Sequence, residues 1–428
     1  MKPKRWHFSV PALGLPVLAA IVLAGAGVQS AHAADVHAAD CAADSKGQGD
    51  MGEGVYGTVQ TAVELVSKQK YDEAIEKLAK IADSGSAYEK AIVNYNLGFA
   101  YSAKNDHANA TKAFAKSLSF DALPRAQSEQ LQFNLGQLYI VSGQYDEGIK
   151  VLQSYISKSC SAVPPEAHIF LANALSERKR FQEALPQIDL AISKSKTVKE
   201  SWLQLRLAIA YELKDYNACA EALMQLISMS PAKADYWKQL STMFYEMKSE
   251  GQAAAVMALA ERQGFLQKPQ EIHNLYSIYM TIDMPFEAGA LLSQALEQGR
   301  LPADEKNLES VADAWINARE SAKAETTLKK LASMSDRGDY YFKLGAMYGD
   351  DERWKESKEM LEKALQKGGL KRTGDAWMRL AVANYSLKDT NGAVASLQKA
   401  VTFDETRTQA GEWLRHLGAG AAAGGRKS

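Results

Sequence analysis

The apolar positions of this chain fall into paired, helix-length stripes separated by short polar turns, and the pairing recurs. Three stretches show it most openly: "NYNLGFAYSAKNDHANATKAFAKSL" from Asn94, "FNLGQLYIVSGQYDEGIKVLQSYI" from Phe133 and "YFKLGAMYGDDERWKESKEMLEKAL" from Tyr341. Each contains Leu-Gly with a Tyr three residues after the Gly. A second helical stretch follows, in which a small residue precedes a bulky one by four, placing both on one helix face. The abundance of Ala, Leu, Lys, Glu and Gln, against only 11 Pro, agrees with helices throughout.

This pattern resembles the tetratricopeptide repeat, in which helix A carries W-x-x-L-G-x-x-Y and helix B carries a small residue followed by a bulky one. With Leu-Gly at positions 7 and 8, position 8 falls at Ala62, Gly98, Gly136, Ala172, Leu207, Ser241, Tyr276, Ala312, Gly345 and Ala381. The small position of helix B, position 20, falls at Ala74, Ala110, Gly148, Ala184, Cys219, Ala253, Ala288, Ala324, Ser357 and Ala393. The expected fold is therefore all-α, a right-handed α-solenoid of about ten helix-turn-helix repeats over residues 55–407. An amphipathic capping helix over 408–418 and a disordered tail over 419–428 should follow.

Departures from the pattern carry expectations of their own. Leu207 and Tyr276 in the small slot imply wider crossings, and Pro186 inside a helix B implies a kink. The turn "YELKDY" of the fifth unit reads as one residue short. Cys219 in a small slot reads as a buried structural thiol. The aromatic-rich stretch "DYWKQLSTMFYEMKSEGQAAAVMALAERQG" from Asp235 is mostly absorbed by the register. Trp237, Leu240, Ser241 and Phe244 take positions 4, 7, 8 and 11, while Ala253, Met257 and Ala260 take 20, 24 and 27.

The N-terminal residues 1–33 look like a signal peptide. Lys2, Lys4 and Arg5 precede an apolar stretch from Val10 to Val28, and Ala31-His32-Ala33 offers a small-x-small cleavage site, with an uncleaved anchor as the alternative. A flexible leader, 34–54, would follow. Export implies a periplasmic protein in an oxidising compartment. Cys41 and Cys160 lie in segments able to meet, leaving a disulfide and free thiols as alternatives.

The formal charge of -1 excludes the clustered basic surplus that nucleic-acid binding needs. The 7 histidines are scattered, with none paired at metal-ligand spacing, so neither a metal nor a cofactor is expected. His107 and His273 read as surface or packing residues, "GAAAGGRKS" lacks the context of a phosphate loop, and Asp350-Asp351-Glu352 lacks the alternation of a calcium loop. No nucleophile with a base at recognisable spacing appears, which points away from an enzyme.

The open face of stacked helix pairs is lined by helix A positions 2, 5, 9 and 12. Here these include Tyr95, Phe99, Phe133, Gln137, Ile169, Asn173, Lys238, Thr242, Tyr245, His273, Ser277, Phe342, Met378 and Tyr385. Aromatics mixed with amides suit a helical or extended peptide.

A narrower likeness runs through "YWKQLSTMFYE" from Tyr236, "ERQGFL" from Glu261, "PFEAGALLSQALEQGRL" from Pro285 and "ALQKGGL" from Ala364. This region resembles exported tetratricopeptide proteins of Gram-negative bacteria that accompany the TonB, ExbB and ExbD proteins. The resemblance implies a non-enzymatic periplasmic scaffold, an accessory of TonB-dependent outer-membrane uptake, whose partners are TonB/ExbB/ExbD-type components or outer-membrane receptors. It implies no catalytic residues. A scaffold or chaperone for envelope polysaccharide or outer-membrane assembly is the alternative.

Overall fold

A computed structural model describes Cys41 and residues 49–418. The sequence expectations for the signal peptide, most of the leader and the C-terminal tail lie outside the described residues. The described residues form 21 helices and no strands. Twenty of them pair as helix A and helix B: α1 (Glu53–Ser67) with α2 (Tyr71–Ile81), α3 (Ala87–Ala103) with α4 (His107–Ser119), α5 (Arg125–Val141) with α6 (Tyr145–Lys158), α7 (Pro165–Glu177) with α8 (Phe181–Lys194), and α9 (Glu200–Glu212) with α10 (Tyr216–Met229). The series continues with α11 (Ala234–Glu246) and α12 (Glu250–Arg262), α13 (Pro269–Thr281) and α14 (Pro285–Glu297), α15 (Glu305–Asn317) and α16 (Ser321–Met334), α17 (Gly338–Asp350) and α18 (Trp354–Lys367), and α19 (Thr373–Ser386) and α20 (Thr390–Ala400). The short α21 (Arg407–His416) packs on α20 through Ala410 and Leu414. The chain divides into two compact units, one ending at Met243 and the other beginning at Phe244.

The same contact recurs in three of the pairs. A Cβ on Gly98 would stand 2.2 Å from the Phe114 ring, one on Gly136 2.6 Å from Leu152, and one on Gly345 2.6 Å from Leu361. Position 8 is therefore small because the bulky residue at position 24 of the same pair lies against the helix A backbone there. Position 20 is small because it faces the position 8 carbonyl: Ser357 donates to Gly345 O at 2.7 Å, and the Cys219 thiol lies 3.8 Å from Leu207 O. All ten residues at position 20 are buried, and at position 8 only Tyr276 is not.

The connections inside the pairs share one geometry. A left-handed residue occupies each of the ten A-to-B turns: Gln69, Asn105, Gly143, Lys179, Lys214, Lys248, Asp283, Arg319, Glu352 and Lys388. Lys214 at φ 58 shows that the "YELKDY" turn is of the common type and not a residue short, as the sequence suggested. Its three residues between α9 and α10 equal those between α7 and α8. Helix α8 runs unbroken through Pro186.

Within each unit successive pairs are joined by apolar packing, and a polar contact repeats between the start of a helix A and the loop that follows its helix B. Glu129, Glu200 and Glu305 all stand at position 1 of a helix A and accept a hydrogen bond from the serine 30 residues later, Ser159, Ser230 and Ser335. Glu200 also accepts from Lys233 and the Tyr236 hydroxyl, and Glu305 from Arg337 and, at 2.6 Å, the Tyr340 hydroxyl. The hydrogen bonds hold both Glu200, led by Lys233, and Glu305, led by Tyr340, below the usual carboxylate range.

At the N-terminal end, Gly52 N–H donates to Glu89 Oε1 at 2.9 Å, in front of the Ser86–Glu89 capping box that starts α3. Cys41 is bonded to Cys160, closing a ring over a sequence separation of 119 that encloses α1 to α6.

Two stability measurements follow from this packing. Gly98→Ala should destabilise the first unit by about 1–3 kcal/mol, read from urea unfolding, because neither the ring nor the helix can retreat without opening a void. Cys160→Ser should lower the same unit's stability by up to about 4.7 kcal/mol on chain-entropy grounds, and reducing agent should then have no further effect.

Candidate functional site

The helix A faces of the two units carry the residues singled out from the sequence, but they do not present one uniform surface. In the first unit Tyr95 and Phe99 are half-buried and meet edge to face at 4.8 Å, with Phe99 against Phe114 at 5.1 Å. Burial pushes the Tyr95 hydroxyl above its ordinary pKa. Phe133 stacks on Tyr155 at 5.6 Å and meets Phe170 of the next pair at 6.3 Å. These rings are joints between helices as much as surface. Ile169 is only 3 % exposed and Met378 8 %, so neither offers a contact to a partner: each is core.

The polar members are better placed. Gln137 and Asn173 are half-buried on α5 and α7, and Asn173 Oδ1 has no hydrogen-bond partner. Thr242 is exposed on α11, its hydroxyl donating to Lys238 O at 2.9 Å. Lys238 is half-buried.

In the second unit, Tyr245 is 53 % exposed and Tyr385 47 %, the latter edge-on to Trp413 at 5.9 Å. His273 lies edge-on to Tyr276 at 6.5 Å, and Phe342 is half-buried. In each unit the groups left at these positions are a scatter of amides, hydroxyls and phenols over packed aromatics.

Cys219 is buried, and burial pushes its thiol up to about 12, far from the nucleophilic range. Asp350 pairs with Arg379 at 3.1 Å, and Glu352 supplies the left-handed turn residue after α17. Among the described residues no group of three or more His, Cys, Asp or Glu side chains is placed to hold a metal. None of their helices is long and apolar enough to cross a membrane.

Sequence reasoning passed over two features. The first is the Glu129, Glu200 and Glu305 series, which a search for Glu at position 1 with Ser 30 residues on would have found. The second is His168, 2 % exposed, its Nδ1 2.9 Å from Gln187 Oε1 and its Nε2 without a partner. Burial lowers its pKa from the ordinary 6.5; the Gln187 hydrogen bond works against this and Lys194 adds to it.

Tetratricopeptide repeat models match residues 91–122, 133–196 and 342–409, so the chain carries tetratricopeptide repeats. Proteins built of these repeats generally mediate protein–protein interactions as scaffolds. No curated protein matches the sequence. Similar solved structures include "APC/C hetero-tetramer Cut9-Hcn1", 13 % identical, covering 84 % of this chain and 83 % of that one with a TM-score of 0.30. "YrrB: a TPR protein with an unusual peptide-binding site" is 14 % identical over 45 % of this chain and 94 % of its own, TM-score 0.36. "MamA 41-end from Desulfovibrio magneticus RS-1" is 16 % identical over 41 % and 97 %, TM-score 0.33.

His168 gives the fourth pair a pH dependence whose sign is fixed. A neutral, buried imidazole with a lowered pKa stabilises the fold fully above 6.5, and this contribution is lost as the pH falls through the lowered folded value. Urea midpoints measured from pH 8 to pH 5 should fall more for the native chain than for His168→Asn.

Proposed function

We propose that this tetratricopeptide-repeat protein is a non-enzymatic periplasmic scaffold that binds envelope proteins through its helix A faces and serves as an accessory of TonB-dependent outer-membrane uptake. The observation that carries the binding surface is that two helix A positions of the open face, Gln137 on α5 and Asn173 on α7, are half-buried amides and not core apolar residues. The exposed Thr242 on α11 extends the same kind of surface in the first unit. Tyr245 and Tyr385 offer the second unit two phenols of the sort enriched where proteins meet.

The periplasmic location draws support from the disulfide between Cys41 and Cys160, a bond that persists in oxidising compartments. It also draws on the signal-like N-terminal residues. The uptake role and the TonB/ExbB/ExbD-type partners or outer-membrane receptors rest on the sequence resemblance of the Tyr236–Gly369 region.

Photo-crosslinking from Thr242 and Tyr385 in the native envelope tests the reading. Recovery of TonB-, ExbB- or ExbD-type proteins or uptake receptors is expected, and recovery of polysaccharide or outer-membrane assembly machinery in their place overturns the uptake role. Gln137→Ala with Asn173→Ala should weaken capture about tenfold with helicity unchanged; undiminished capture would remove this face as the site.

A further inference from the structure

We propose that the Cys41–Cys160 disulfide is a thiol–disulfide exchange site, polarised so that an incoming thiolate attacks Cys41 and Cys160 departs. Cys160 lies in the loop between α6 and α7 and is exposed, while Cys41 is half-buried. Exposed disulfides are the labile ones, open to reductants that buried ones never meet.

What polarises the bond is Arg125 at the start of α5. Its Nη1 donates to Cys160 Sγ at 2.7 Å, so a fixed positive charge awaits the negative charge that develops when that sulfur leaves. The loop is held in this position by Glu129, one turn along the same helix. Its carboxylate accepts from the Cys160 N–H at 2.8 Å, the Ser159 hydroxyl at 3.0 Å and the Ser161 N–H at 3.2 Å. Burial works against the charge of Glu129, but the Ser161 hydroxyl, Cys160 N–H and Ser159 hydroxyl outweigh it and keep the group ionised. That negative charge opposes a thiolate, yet its oxygens are engaged by the loop backbone and hydroxyls, whereas Arg125 touches the sulfur itself. The direct hydrogen bond from the guanidinium falls on Cys160 Sγ, which makes that sulfur the favoured leaving group.

The co-substrate is a dithiol, either a small molecule or a protein oxidoreductase. One thiolate of the dithiol attacks Cys41 Sγ, the Cys41–Cys160 bond breaks, and its electron pair leaves on Cys160 as a thiolate paired with Arg125. The second thiolate of the reductant then displaces Cys41, forming the reductant's own disulfide. Two electrons pass to the protein, and the two protons of the dithiol end on the cysteines. The ring around α1 to α6 opens, and Cys41 is released from the α6–α7 loop.

The test uses the full oxidised chain. Treated briefly with reduced glutathione and quenched by alkylation, it should carry glutathione on Cys41 and alkyl label on Cys160, as mapped by mass spectrometry. Glutathione on Cys160 overturns the proposal. With dithiothreitol as reductant, Arg125→Gln should slow loss of the disulfide by about threefold or more, and Arg125→Lys should restore the native rate, because only the charge matters for the leaving sulfur. A native rate in Arg125→Gln, or an equally slow Arg125→Lys, also overturns it. Should Arg125→Gln fail to fold, the position of glutathione on the native chain decides alone.

Discussion

The close approach of two backbones inside each helix pair is the constraint on which everything else here rests. Where Gly98, Gly136 and Gly345 stand, a single added carbon would overlap Phe114, Leu152 or Leu361. The small residue lets the bulky one four places beyond the next small residue lie against the helix, which sets the crossing of the pair. From that crossing follow the buried position 20, the thiol of Cys219 pressed toward Leu207 O, and the common left-handed turn that reverses the chain. Gln69, Lys214 and Lys388 are poor candidates for positive φ by type. They adopt it because the turn must close on a fixed separation, and tertiary packing outweighs the roughly 1–2 kcal/mol of local cost.

A pair so built still leaves one apolar side uncovered, and the stack supplies the cover. The joints are of two kinds. Aromatic contacts such as Phe133 with Phe170 join one pair to the next through dispersion and area. Glu200 and Glu305 do so through directed hydrogen bonds, each reaching the serine at the end of its own helix B and the first tyrosine of the next helix A. Exposed ion pairs between neighbouring pairs, such as Arg178 with Asp146 at 2.8 Å, add little by comparison because water screens them.

This division of labour bears on function. Residues at helix A positions 5 and 9 are shared between stacking and surface, and the stacking takes the larger rings. What remains outside the stacking is largely polar: Gln137, Asn173 and Thr242 in the first unit, with Tyr245 and Tyr385 in the second. Groups of this kind can hydrogen-bond along an extended chain, which is the chemistry the proposed scaffold role calls on. In the loop bearing Cys160, Glu129 ties helix A to the end of its own helix B and at the same time clamps the backbone beside the disulfide.

The sequence by itself determined the helical pairing, its register and the identity of the small slots. Those depend on contacts between residues 12 or 16 apart, whose size requirement is absolute and leaves a mark at every repeat. It misread the "YELKDY" turn, which is decided by closure and not by residue type. It also placed Ile169 and Met378 on the open face, because position number gives direction on a helix but not how far the neighbouring pair reaches over it. Only the tertiary structure decided that Cys41 meets Cys160 over a separation of 119, that Arg125 lies at the sulfur, and that His168 is enclosed without a partner for Nε2. These are contacts between groups that occur once, and a feature that does not repeat has no period by which a sequence could show it.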